Sequence, residues 1–139
     1  MKSWMSKIKK FKVRWISFKK FEGEVIKSSV PISFLGGVDP KTGVITDSTN
    51  SLYGKSIKGK VLLMPFGVGS TVGSYIIYAL KKNLTAPIAV ITYKSDIIVP
   101  SGCAISRIPY GLLSYNDWLE IEDRALVKTE KEDEILVSL

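Results

Sequence analysis

KVLLMPFGVGSTVGSYIIYALKK, residues 60–82, changes pattern at its glycines. Val61, Leu62, Leu63 and Met64 form a continuous apolar run, the pattern of a buried strand. Tyr75, Ile76, Tyr78, Ala79 and Leu80 read as a helix, which ends in Lys81 and Lys82 where cations meet the negative end of the helix dipole. Between the two, Gly67-Val68-Gly69-Ser70-Thr71 is a turn that carries two hydroxyls to the start of a helix over residues 71–82. Strand, glycine turn and helix N-terminus together present backbone N–H groups to an anion. The same residues also fit a plainer role, in which Gly67 and Gly69 make the turn while Ser70 or Thr71 caps the helix.

Two nucleotide motifs are excluded at this turn. A P-loop ends in Gly-Lys-Ser/Thr, and no lysine lies between Gly67 and Ser74. The dinucleotide fingerprint is G-x-G-x-x-G, whereas Gly67, Gly69 and Gly73 leave one residue too many in the second gap. Asp96 stands too late in the chain, among apolar neighbours, to be the acidic residue that would hold a ribose.

With 139 residues, 45% of them hydrophobic, the chain supports a single folded domain with an ordinary core. Its apolar runs are too short to span a bilayer and the first is broken by lysines, so neither a secretory signal nor a membrane span is expected and the chain is read as cytoplasmic. One cysteine (Cys103) and no histidine exclude an internal disulfide and a self-contained zinc or iron–sulfur site. Cys103 itself reads as a small buried hydrophobe. The net charge of +7 is localised: residues 1–20 carry +8 with no acid, and the remainder sums to −1.

Within that basic region Trp4, Ile8, Phe11, Trp15 and Phe18 fit a helical stripe, while Phe11, Val13 and Trp15 alternating with Lys10, Lys12 and Arg14 fit a strand. Aromatic and β-branched content favours a strand from about Lys10 to Phe18, after a basic extension over residues 1–8. Further strands are expected at Phe21–Ile26, Val44–Thr46 and Ile88–Tyr93, with shorter ones at residues 96–100 and 103–105. Residues 47–53 read as a surface loop and Tyr115–Leu119 as a second, short helix. The last fifteen residues read as a hairpin, Ala125–Thr129 and Glu134–Leu139 about a polar turn. The sum is a β-rich mixed α/β domain.

Taken together and in order, PISFLGGVDPKTGVITD, GKSIKGKVLLMPFGVGSTVGSYIIYAL and APIAVITYKSDIIVPSGCAIS resemble the small, swivel-domain subunit of the aconitase X family. The resemblance runs from about Phe21 to Pro109. It implies a swivelling three-layer β/β/α fold and a large partner subunit that carries an iron–sulfur cluster of the 4Fe–4S type, with none bound by this chain. It also implies a hydro-lyase. The family's archaeal branch removes water from (R)-5-phosphomevalonate to give trans-anhydromevalonate 5-phosphate in isoprenoid biosynthesis, and bacterial members act on cis-3-hydroxy-L-proline. In aconitase-like enzymes the swivel domain presents a Gly-Ser-Ser loop whose first serine is the catalytic base. Gly69-Ser70-Thr71 matches it and places that role on Ser70, with Gly69 and Thr71 at the substrate. The match stops there: where aconitase has an arginine, Val72 and Gly73 follow. Gly36, Gly37 and Asp39 form a second block expected to face the cleft, against the plainer reading of Asp39-Pro40 as a turn.

Two other classes remain open. Basic residues interleaved with Trp4, Trp15 and Phe18 are the composition of a module that tracks phosphates and stacks bases, although nucleic acid leaves the glycine turn without a role. An autonomous domain that binds a small anion at Ser70 without a partner is the other.

Overall fold

The structure, a computed structural model, describes residues 3–139. The strands are β1 (Ile8–Lys12), β2 (Arg14–Ser17), β3 (Glu22–Lys27), β4 (Ile32–Ser33), β5 (Val61–Leu63), β6 (Gly67–Val68), β7 (Ala89–Thr92), β8 (Tyr110–Leu112), β9 (Leu126–Thr129) and β10 (Glu134–Ser138). The helices are α1 (Phe34–Gly37), α2 (Gly73–Lys82), α3 (Ile98–Ser106) and α4 (Tyr115–Glu120).

All three residues of β5 and all four of β7 are buried, because both faces of these strands are covered. Leu62 and Val90 point into one core, shared with Ile77 and Leu80 of α2 and Val99 and Cys103 of α3. Val61, Leu63, Ala89 and Ile91 point into a second core, shared with Phe11, Val127, Ile135 and Val137 of the N- and C-terminal strands. The alternation of side chains along each strand thus feeds two cores in turn. The result is three layers, β on β on α, as the family resemblance implies.

Eight strands form one sheet in the order β1-β10-β9-β3-β5-β7-β8-β2. Its two outermost strands are consecutive in the chain and joined by Val13 alone, so the sheet is rolled until its edges meet. β3 makes the bend: its first half pairs antiparallel with β9, and its second half runs parallel to β5. From there β5, β7 and β8 run parallel to one another. Their carboxyl ends, with that of β3, therefore lie along one edge and their amino ends along the other.

Several sequence expectations change. The strand expected over residues 10–18 is two strands on opposite edges, divided at buried Val13, whose N–H bonds Asp133 O at 2.8 Å. Ile8, placed in the basic extension, begins β1. Residues 98–106, which take in most of the segment read as a strand at 96–100 and all of that at 103–105, form α3 instead; Pro100 falls in the first turn, where a helix needs no N–H. Val44–Thr46 makes isolated bridges only, Val38 with Ile45 and Val44 with Ser56. In the loop at residues 47–53, Asn50 and Leu52 are buried, and Asn50 Nδ2 donates to Ser28 Oγ at 3.2 Å. No helix among the described residues is long and apolar enough to cross a membrane.

Candidate functional site

The glycine turn leaves β5 at the carboxyl edge of the parallel strands, where open α/β sheets place their ligands. Ile32 and Ser33 of β4 pair in parallel with Gly67 and Val68 of β6, so the turn at Ser33–Gly37 lies beside the Gly67–Thr71 turn. Gly69 has φ +91, and a Cβ there would collide with Ser33 Oγ. Both the backbone sign and the close approach of the two turns therefore require glycine. Ser33 Oγ is itself held, donating to Leu35 O at 3.1 Å.

Ser70 and Thr71 are exposed, ahead of the helix rather than in it: α2 begins at Gly73. Ser70 Oγ accepts the Val72 N–H at 3.1 Å, and Ser70 O accepts the Gly73 N–H at 2.9 Å. Among the described residues the Ser70 and Thr71 N–H groups have no acceptor in the chain. The turn thus offers a hydroxyl with one N–H already on it, two N–H groups facing solvent, and the positive end of α2 behind them.

Asp96, passed over in the sequence, is what fixes this turn. Its Oδ2 accepts the Gly67 N–H at 2.9 Å and its Oδ1 the Val99 N–H at 2.9 Å, so one carboxylate ties the glycine turn to the first turn of α3. Ser74 Oγ adds a second tie, donating to Ile98 O at 2.7 Å. The signal was present locally, since an acidic residue just before an apolar run is a helix-start signature. The run itself fits a strand equally well by pattern, which hides that signature.

Of the second block, Gly36 and Gly37 lie close to the site. Gly36 is exposed with φ +83 and breaks α1, while Gly37 is buried; their carbonyls accept the Thr46 Oγ1–H and the Thr46 N–H, each at 3.0 Å. Asp39 does not join them. Its Oδ1 accepts the Lys41 N–H at 2.9 Å within its own turn, and Pro40 O accepts from Asn83 Nδ2 and Thr85 Oγ1, both at 2.8 Å. These two donors follow the last turn of α2, so Asp39 sits toward the end of that helix away from Ser70. A ten-residue helix places its ends about 15 Å apart. The turn reading of Asp39-Pro40 accounts for it.

Cys103 is fully buried inside α3, and burial pushes its thiol far up from the ordinary value. Among the described residues no group of three or more His, Cys, Asp or Glu side chains could hold a metal ion.

Along the rim of the glycine turn lie exposed apolar side chains: Leu35, Val68, Val72 and Ile97, with Tyr75 on the outer face of α2. Lys94 stands at the same edge, its ammonium 5.3 Å from the centre of the Phe66 ring.

Residues 10–138 match the family described as the aconitase X swivel domain. The chain is 58% identical over 100 residues to the phosphomevalonate dehydratase small subunit of Methanosarcina mazei, covering 72% of this chain and 69% of that one. It is 57% identical over 100 residues to the protein of the same name from Thermococcus kodakarensis, covering 72% and 75%. Among solved structures, the holo-form of aconitase X from the same Thermococcus superposes with a TM-score of 0.87 at 46% identity, over 93% of this chain and 98% of that one.

Proposed function

Because this chain belongs to the aconitase X swivel-domain family, we propose that it is the small subunit of a two-subunit hydro-lyase. Its substrate is (R)-5-phosphomevalonate, which loses water to give trans-anhydromevalonate 5-phosphate, a step in making isoprenoids. The relatives that share more than half of their aligned residues with it are named for phosphomevalonate dehydration, which favours this substrate over cis-3-hydroxy-L-proline. A small subunit of this kind works with a large one, and the exposed apolar rim around Ser70 is suited to that contact.

The observation that carries the reading is the Gly69-Ser70-Thr71 turn itself, held at the carboxyl edge with Ser70 Oγ exposed and a backbone N–H on it. In this reading Ser70 Oγ accepts the proton beside the substrate carboxylate. The free Ser70 and Thr71 N–H groups, with Gly36 and Gly37 on the adjoining turn, help seat the anion. The family implies an iron–sulfur cluster, which as a Lewis acid would assist departure of the hydroxyl. This chain's donors do not fit one, since its single cysteine is enclosed in the core and it has no histidine. The cluster is therefore assigned to the large subunit, and no step is drawn through it.

Magnitudes explain why the chain needs its partner. A helix dipole favours a nearby anion by at most about 2 kcal/mol, equivalent to about 1.5 pKa units. That is far too little to ionise an aliphatic hydroxyl near neutrality. Ser70 becomes a competent base only when further donors and exclusion of water come from the large subunit. The isolated chain is accordingly inert.

The test is Ser70→Ala in the reconstituted two-subunit enzyme. Loss of a general base lowers turnover on the order of 10²–10⁴-fold, with the complex still assembled. Turnover near that of the wild type would overturn the assignment of Ser70. Failure of an anaerobic preparation to retain a cluster-containing large subunit would overturn the two-subunit reading.

A further inference from the structure

The edge of the sheet opposite Ser70 carries an open concavity of about 480 Å³. It lies where the chain enters β3, β5, β7 and β8 and where α2 and α3 end. Five cationic residues from four parts of the chain line it: Lys19 and Lys20 before β3, Lys58 before β5, Lys81 at the end of α2 and Arg107 after α3. The one acid in the lining is Glu22, whose Oε2 already accepts the Trp4 Nε1–H at 3.0 Å. Among the described residues, none of the five cationic groups makes an ion pair or a side-chain hydrogen bond.

Helix ends account for only part of this. Lys81 and Arg107 stand at helix C-termini, where a cation offsets the dipole. Lys19, Lys20 and Lys58 have no such role, and gathering them with the other two raises the electrostatic energy of the free chain. Between the cations the lining includes apolar side chains: Phe21, Pro87 and Ile88, which are buried or partly buried, and Leu84, which is largely exposed. Several cationic donors beside apolar lining suit a ligand that has a compact multiple negative charge and a hydrophobic body. An organic diphosphate carries more negative charge and more acceptor oxygens than a carboxylate or a phosphate monoester, so it engages more of the five cations.

We propose that this amino-edge concavity is a second binding site, for an organic diphosphate whose apolar portion rests on Phe21 and Ile88. It is separated from Ser70 by the length of α2, so it serves neither the proton transfer nor the seating of the substrate there. Long flexible lysines do not read a base sequence, and the concavity is a pocket rather than a track, which favours a small ligand over a polynucleotide.

The experiment is calorimetric titration of the full chain at 0.15 M salt with inorganic pyrophosphate, butyl diphosphate and ADP, and with a single-stranded oligonucleotide. One saturable event per chain is expected, with an organic diphosphate binding more tightly than inorganic pyrophosphate. Tighter binding of butyl diphosphate than ADP would assign the site to alkyl esters, and the reverse order to nucleotides. Lys58→Ala and Lys20→Ala should each weaken binding by about 10- to 100-fold, while Lys94→Ala, at the carboxyl edge, should not change it. Ser70→Ala should bind as the wild type does, which separates this site from the catalytic proposal. No saturable binding by any diphosphate, equal weakening by Lys94→Ala, or an oligonucleotide that outcompetes every diphosphate would overturn the proposal.

Discussion

Replacing Asp96 by alanine removes both acceptors that join the Gly67 turn to α3. The two N–H···O distances are 2.9 Å each, to separate oxygens of one carboxylate. A hydrogen bond to a charged acceptor contributes about 1.5–3 kcal/mol. Because the residue is only half-buried, the lower figure applies to each, so the loss should be about 3 kcal/mol. That exceeds the cost of about 1 kcal/mol for removing an ordinary helix cap. It is still within the stability of a typical domain, about 5–15 kcal/mol, so the variant should fold. With a urea slope of about 2 kcal/mol per molar, the unfolding midpoint should fall by about 1.5 M. Asp96→Asn keeps one acceptor oxygen and should lose about half as much. In the assembled enzyme, Asp96→Ala should also lower turnover, because Ser70 stands three residues beyond the anchored Gly67. A midpoint for Asp96→Ala within about 0.5 kcal/mol of the wild type, or equal damage from Asn and Ala, would refute this account of the turn.

Gly69→Ala should destabilise by more than the roughly 1–2 kcal/mol of a left-handed backbone, since its Cβ also meets Ser33 Oγ; pairing it with Ser33→Gly should recover only part of the loss, read as turnover and as denaturation midpoint. Asp39→Asn leaves an oxygen for the Lys41 N–H and should change neither turnover nor stability beyond about 0.5 kcal/mol; a large loss of activity would return Asp39 to the cleft. Lys27 Nζ donates to the carbonyls of Trp118 and Ile121 at 2.9 and 2.6 Å, and burial holds its pKa below the ordinary lysine value despite Asp123 and Glu122. In the pH range between its folded value and the ordinary one, the unfolded chain binds more protons, so stability should rise with pH through that range. Lys27→Met should abolish the rise, measured as urea midpoints across alkaline pH.

The parts whose signals are local can be read directly from the order of residues. Val61–Met64 and Ile88–Tyr93 are apolar runs bounded by glycine, proline and charge, and they became the central parallel strands β5 and β7. The C-terminal hairpin and the helix at Tyr115–Glu120 were legible for the same reason. The Gly67–Thr71 turn was legible because glycine spacing, two hydroxyls and an amphipathic helix lie within twenty-five residues. What local pattern did not determine was set by contacts between distant residues. Ile98–Ser106 is short, apolar and interrupted by Pro100 and Gly102, so periodicity cannot separate strand from helix; it is helical because its buried face packs on α2 over the first core. The run alternates without a break from Lys10 to Trp15, yet pairing with β10 at one end and β8 at the other divides it at Val13. Asp39 lies near Gly37 in sequence, but the next residue, Pro40, is held at the far end of α2 by Asn83 and Thr85. Asp96 reaches a turn 29 residues away, and the cations of the amino edge come together only because parallel strands align their starts. Local spacing fixes which residues can form a strand, a turn or a helix. The pairing of strands and the packing of helices on them decide which of those residues meet.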